Sequence, residues 1–386
     1  HRARFHVGIE VRSRAAAHVE YTHARNGRME GDGDPAERCI QRLEDRVVVL
    51  GDASIGVVPI GHGSTLRPRQ AVRGRIGNGA GKATHPDVII DAVHTQYRGH
   101  QRPGVSMRAV VLGGVAWNTM IFVDRFPEPA PHTVFPMRTH QAVGSSGAGK
   151  ALNLASLGAD VALWALVGDD EPGDRIRSAL ADAGITFVGE RDPAGTARHV
   201  NLMDPKGDRI SIFENAGSLE LDVDTAPVVD LLAGADLATV TILDHCRAFL
   251  PLIEDAGVDT WVDVHDYDGV NPYHAPFIEA ADHLFVSTVS LGGWRAFAED
   301  CIASGCKAVI CTHGADGASG ITATEGWVDL AAPSVPDIVD TNGAGDAFFA
   351  GYAVATLDGL GLEASMEAGV EQAALAIASP DLAPKR

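Results

Sequence analysis

From position 107 onward, short apolar runs alternate with stretches of helical period. The runs fall at 110–112, 161–167, 237–243, 260–264, 283–287 and 308–312, and 148–157 and 175–183 read as helices among them. Strands that are apolar without alternation are buried on both faces, and strands joined through helices run parallel. The pattern predicts an α/β fold whose mainly parallel sheet is covered by helices on both sides. Two segments depart from it. Residues 119–124 with 132–143, and 197–203 with 208–213 around the turn Asp204-Pro205-Lys206-Gly207, read as antiparallel β. They predict a small lid from about 117–143 and 196–215.

Residues 1–106 look different. They lack sustained periodicity apart from apolar patches at 47–50 and 88–90, and Lys82 is their single lysine. They hold 16 Lys and Arg against 11 Asp and Glu, whereas the rest holds 15 against 40, so the net charge of −20 belongs to the second part. The expectation is an atypical leader over 1–106, disordered or non-native, ahead of a functional unit over 107–386 that starts near Met107. An acidic body argues against nucleic acid as a partner. With no apolar run of about 18 residues and no signal-peptide pattern, a cytoplasmic protein without a membrane partner is expected. Cys39, Cys246, Cys301, Cys306 and Cys311 contain no CxxC pair and read as buried free thiols.

The most specific run is Val339-Asp340-Thr341-Asn342-Gly343-Ala344-Gly345-Asp346-Ala347-Phe348-Phe349-Ala350-Gly351. It follows a strand and a Pro-bearing loop over 327–339 and opens an apolar helix. Gly343 and Gly345 permit backbone angles closed to other residues, and N–H groups at a helix start form a cradle for an anion such as phosphate. A carboxylate beside that cradle, Asp346, would repel a resting phosphate. It makes sense as the base that takes a proton from an attacking hydroxyl.

The run Asp340 to Gly351 resembles the C-terminal signature of the ribokinase-like (PfkB) carbohydrate kinases, and the resemblance extends from about Met107 to near the C-terminus. It implies a three-layer αβα sandwich with a mainly parallel central sheet and a small β lid. It also implies ATP-dependent phosphorylation of a primary hydroxyl of a sugar. Asp346 is then the catalytic base, and the turn Gly343, Ala344, Gly345 and Asp346 is the anion hole for the transferred phosphate.

A second match lies upstream. Gly144-Ser145-Ser146-Gly147-Ala148-Gly149-Lys150-Ala151 nearly spells a Walker A loop, but position 151 lacks the hydroxyl that would hold magnesium. Ala148-Gly149-Lys150-Ala151-Leu152-Asn153, followed by Leu157-Gly158-Ala159 and Gly168-Asp169-Asp170, resembles the family's N-terminal signature better. Gly149, Lys150 and Asn153 inherit substrate binding from it, although Ala148 departs from the first glycine. Asp169 reads as a turn or cap. Asn118 aligns with an aspartate that grips sugar hydroxyls in the family, and an amide can both donate to and accept from hydroxyls. Trp117 beside it is either lid packing or a stacking surface.

Thr312, Gly314 and Gly317 match an element that lies near the nucleotide phosphates in the family, with His313 between them structural. Asp340 stands where some members hold a monovalent cation. At Ser287 and Ser290 the family commonly carries an NxxE motif that helps hold magnesium, and neutral hydroxyls are poor substitutes for a carboxylate around a hard cation. The resemblance implies Mg2+, without the usual carboxylate at these two positions. Asp263, His265, Asp266 and Asp268 resemble a metal cluster by composition, with a polar strand-end loop as the simpler reading. Two other functions stay open: a nucleoside kinase of the same fold, and a sugar- or nucleotide-binding protein with weakened catalysis. The partners the resemblance implies are a sugar or nucleoside, ATP and, through the lid, a second copy of the chain.

Overall fold

A computed structural model describes residues 107–205, 207–336 and 338–384. The expected leader over 1–106 lies outside the described residues, as does Cys39. The chain enters through β1 (Arg108–Leu112), then β2 (Ala116–Phe122), β3 (Arg138–Gly144), α1 (Ser146–Ser156), β4 (Asp160–Val167), α2 (Glu171–Asp182) and β5 (Thr186–Arg191). The second half of the lid, β6 (Arg198–Met203) and β7 (Arg209–Asn215), comes next. After it come α3 (Ala226–Leu232), β8 (Leu237–Thr241), α4 (Leu250–Ala256), β9 (Thr260–Asp263), α5 (Ala275–Glu279), β10 (His283–Ser287), α6 (Trp294–Ala303) and β11 (Ala308–Thr312). A hairpin of β12 (Ala318–Thr322) and β13 (Gly326–Leu330) precedes α7 (Ala344–Leu357) and α8 (Leu362–Ile377).

Among the described residues, nine strands form one sheet in the order β13-β12-β11-β10-β9-β8-β1-β4-β5. All its pairings are parallel except those of β12 and β13. The central strands are buried almost throughout, as their unbroken apolar runs require. One face carries a core from α1, α2, α7 and α8, including Leu154, Ile176, Phe349 and Met366; the other carries a core from α3 to α6, including Val228, Ile253, Phe277 and Ala298. This is the expected αβα sandwich. Helix α7 reads apolar on nearly every side, and it is enclosed accordingly, with only scattered exposure from Asp346 to Ala355.

The order of the sheet decides where a ligand can bind. From β1 the chain builds one way through β4 and β5 and then returns to build the other way through β8 to β11. Ligands of such sheets bind beyond the carboxyl ends of the strands at the point of reversal, here between β1 and β8. Gly113 and Gly114 end β1 at that point, and a Cβ on Gly113 would stand 2.5 Å from the Thr241 methyl at the end of β8.

The lid is a separate four-stranded sheet in the order β3-β2-β6-β7. The two expected hairpin-like pairs are antiparallel, but β2 and β6 join them in parallel, a long-range pairing with no local sequence signal. Its own small core is Met120, Phe122 and Met203. Among the described residues no helix is long and apolar enough to cross a membrane. The four described cysteines are buried and free, and burial pushes the Cys246 thiol up to about 12.

Candidate active site

The glycine run forms the turn its composition suggests. Gly343 lies in the left-handed region at φ 80°, immediately before α7, and the Asp340 carboxylate stiffens the approach by accepting the Asn342 N–H at 2.8 Å. A side chain on Gly343 would meet Leu382, whereas nothing lies within 4 Å of where a Cβ on Gly345 would stand. The space over the first turn of α7 is therefore open, and N–H groups in a first helical turn have no intrahelical acceptor. With the helix dipole, that is a place for an anion. Burial pushes the Asp340 carboxyl up against the opposing Asn342 hydrogen bond.

Asp346 stands in the same first turn, 9% exposed. Its Oδ1 accepts from Ser146 Oγ at 2.7 Å and from Lys150 Nζ at 2.6 Å, both on α1. Lys150 also donates to Asp263 Oδ2 at 2.9 Å and to Ser146 Oγ at 2.7 Å, and its side chain is 1% exposed. Burial by itself would lower the Lys150 amine, but Asp263 and Asp346 outweigh it and hold it above its ordinary range. Burial likewise works to raise Asp263, and the Lys150 ammonium, helped by His265, overcomes it and brings that carboxyl down to about 2.

Helix α1 is aimed at this point by a strained entry. Ser145 precedes it at φ 76° and ψ 153°, a region costing roughly 1–3 kcal/mol for a residue other than glycine. The Ala148 N–H donates to the Gly114 carbonyl at 3.1 Å, which docks α1 on the end of β1. Gly147 fits against the backbone of Gly113 and Gly114, where a side chain would collide. Asn118 comes from the lid to the same corner: its amide lies against Gly144, it is 4% exposed, and its Oδ1 has no hydrogen-bond partner. An unpaired buried acceptor is costly, and a substrate hydroxyl would satisfy it.

The structure thus brings together Gly149, Lys150 and Asp346, with Gly343, Ala344 and Gly345 in the turn that leads into Asp346, while Asn118 lies against Gly144, just before α1. Asn153 lies behind the same turn, joined to it through Leu382, which packs on Gly343. It is fully buried one turn further along α1, where its amide donates to the Gly149 and Leu382 carbonyls and accepts from Gln372. Lys150 is enclosed by carboxylates rather than presented to a substrate. Gly149 lies against Asp346, not against open space.

Thr312, Gly314 and Gly317 stand at the end of β11, two strands along the same sheet edge from β9. Gly314 opens to free space, whereas Gly317, at φ 108°, lets the backbone pass the Leu330 carbonyl. His313 is tied to Thr288 and Ser319 at 2.8 and 2.9 Å, a structural link. Of the other acids, Asp170 caps α2 and Asp169 pairs with Arg191, and Asp268 accepts the N–H groups of Val270 and Asn271.

Among the described residues no three His, Cys, Asp or Glu side chains are grouped to hold a metal ion. Ser287 and Ser290 place only neutral hydroxyls where the family's carboxylate is expected. The protein side chains therefore do not fit a carboxylate-held magnesium.

Sequence reasoning missed four contributors. Asp263 was visible only as one of four polar residues after a strand, and Ser146 as part of a glycine-rich turn. The lid arginines were not seen at all: Arg138 donates to the Val339 carbonyl at 3.1 Å and Arg209 reaches Asn342, while Thr341 donates to the Gly207 carbonyl at 2.6 Å. Each ties the lid to the loop before the glycine turn.

Residues 108–385 match the pfkB family carbohydrate kinase model. The chain is 31% identical over 277 residues to an acarbose 7(IV)-phosphotransferase from Actinoplanes sp., covering 70% of this chain and 92% of that protein. It is 31% identical over 268 residues to an ATP-dependent ribose-1-phosphate kinase from Halopiger xanaduensis, covering 68% and 88%. Among solved structures, a microbiome-derived acarbose kinase superposes with a TM-score of 0.66 at 29% identity, over 71% of this chain and 94% of the other. An Arabidopsis thaliana ribokinase complexed with ribose and ATP shares the fold, with a TM-score of 0.62 at 20% identity over 72% and 96%. The chain belongs to the pfkB family of carbohydrate kinases. It is a phosphotransferase with an alcohol group as acceptor, and membership implies ATP as the phosphate donor.

Proposed function

We propose that the protein transfers the γ-phosphate of ATP to a primary hydroxyl of a sugar, with Asp346 as general base and the Gly343 to Asp346 turn as the anion hole. The observation that carries this reading is the pairing of a buried carboxylate with an open helix start at the point where the sheet reverses. In the transfer, the hydroxyl oxygen bonds to the γ-phosphorus as its bond to the bridging oxygen breaks. ADP leaves with that electron pair, and the hydroxyl proton passes to Asp346. The N–H groups of the turn stabilise the charge on the phosphoryl oxygens. Asn118 orients the sugar through its unpaired oxygen, and Thr312, Gly314 and Gly317 line the nucleotide side.

The acceptor is best sought among free sugars, sugar phosphates and sugar-derived oligosaccharides, since relatives at about 31% identity carry acarbose and ribose 1-phosphate in their names. ATP consumption against ribose, ribose 1-phosphate, acarbose and a set of nucleosides tests the reading. Turnover with a sugar supports it, turnover with nucleosides alone replaces it by a nucleoside kinase, and saturable binding without turnover replaces it by a binding protein.

The proposal includes a cytoplasmic site of action and a homodimer through the lid. Ile210, Ile212 and Phe213 on β7 expose apolar surface on an edge strand, which supports pairing with a second copy. Sedimentation of Phe213→Glu against the parent chain checks it, and a parent chain that sediments as a monomer contradicts it.

A further inference from the structure

Lys150 lies between two carboxylates, and the proposed transfer uses only one of them. It links Asp346 on α7 to Asp263 at the end of β9, with Ser146 bridging on α1. The Phe349 ring, 5.2 Å from Nζ, closes the apolar side. His265, its Nδ1 3.7 Å from Asp263 Oδ2, is the other titratable group facing the cluster. Among the described residues only two other than glycine have a positive φ, Ser145 and His265. One precedes Ser146 and the other follows Asp263 by two positions, with the His265 N–H donating to Asp263 Oδ1 at 2.9 Å. Strained backbone on both sides of one ionic cluster is a cost that folding alone does not require.

We propose that Lys150 and Asp263 are positioning residues: Lys150 fixes the Asp346 carboxylate, and Asp263 balances Lys150 so that the cluster carries one net negative charge before it takes the hydroxyl proton. This rests on Asp346 being the base. With two carboxylates and one ammonium, proton uptake takes the cluster from one negative charge to neutral. Without Asp263 the cluster begins neutral and must become positive in a buried place, which opposes proton uptake. Without Lys150, two carboxylates face each other and proton uptake is favoured.

The two losses displace the pH profile in opposite directions, which a merely structural role does not do. The test is kcat and KM against pH for Asp263→Asn, Asp263→Glu and Lys150→Met, using the best acceptor of the panel, each repeated with His265→Asn to remove the neighbouring titration. Asparagine tolerates the left-handed backbone at 265. The expected result for Asp263→Asn is a fall in kcat of about tenfold or more, an acid limb moved down by about one pH unit, and a KM for the acceptor within about threefold of the parent. Asp263→Glu restores the limb, and Lys150→Met moves it upward. If Lys150→Met does not fold, the contrast between Asn and Glu at 263 still decides. An Asp263→Asn profile that superimposes on the parent, while Asp346→Asn is inactive, overturns the inference and leaves the base standing. An active Asp346→Asn removes both.

Discussion

Gly149 and Asp346 touch across the site: a methyl group on Gly149 would stand 2.8 Å from Cγ of Asp346 and closer still to its Oδ2. The carboxylate occupies the volume that glycine leaves empty. Gly149→Ala should therefore push Asp346 off its contacts with Ser146 and Lys150. Since Gly149 lies inside α1, alanine brings a helix gain of about 1 kcal/mol, which is smaller than the cost of crowding and of loosening a buried ion pair. The expected outcome is a kcat lowered by about tenfold or more together with a lower melting temperature. A melting scan beside steady-state kinetics checks it.

Gly345, by contrast, separates stability from activity. No atom lies near its Cβ position, so Gly345→Ala is not strained and leaves stability equal or up to about 1 kcal/mol higher. The new methyl would stand in the space assigned to the phosphoryl group. Activity should fall by about a hundredfold, and unfolding in urea should show no loss.

The architecture was legible from 107 onward because both of its signals are local: unbroken apolar runs mark parallel strands, and Gly343 with Asp346 marks a turn into a helix. What stayed hidden depends on distance in sequence. Lys150 and Asp263 are far apart in the chain, and only the order of β1, β8 and β9 in the sheet brings them together. The same holds for Thr341 and Gly207. Asn153 shows the converse: it fits a signature by spacing and shares a face of α1 with Gly149, yet one turn further along that face its amide is taken up by Leu382 and Gln372, while Gly149 and Lys150 meet Asp346. Edge strand β5, and β12 one place in from the opposite edge, also lacked the long apolar run by which the central strands were recognised.

The lid is latched to the loop that leads into the glycine turn. Thr341→Val removes the hydroxyl that donates to the Gly207 carbonyl, a neutral hydrogen bond of about 1 kcal/mol. If the latch closes the lid over the acceptor, KM for the sugar should rise about three- to tenfold while kcat stays within about twofold. An unchanged KM contradicts a role in closure.

Acid stability follows from Asp263. Its carboxyl sits at about 2 in the folded chain against about 3.9 unfolded, so the unfolded state binds the proton more tightly. The stability this provides is full above about pH 5 and is lost as pH falls through about 2, by about 2–3 kcal/mol. Lys150 has the opposite sign: its contribution is present below about pH 10 and is lost only as pH rises further. Urea unfolding at pH 6, 4 and 3 should show a steeper acid loss in the parent than in Asp263→Asn. Parallel curves contradict the pairing.

The central claim is that Asp346 takes the hydroxyl proton, and Asp346→Asn tests it most directly. Asparagine keeps the shape and can still meet Ser146, so a melting scan confirms a folded chain before kinetics are read. With ATP and the best acceptor of the panel, turnover should fall by about a hundredfold to ten-thousandfold, the range removed with a general base. Turnover within a few-fold of the parent contradicts the account.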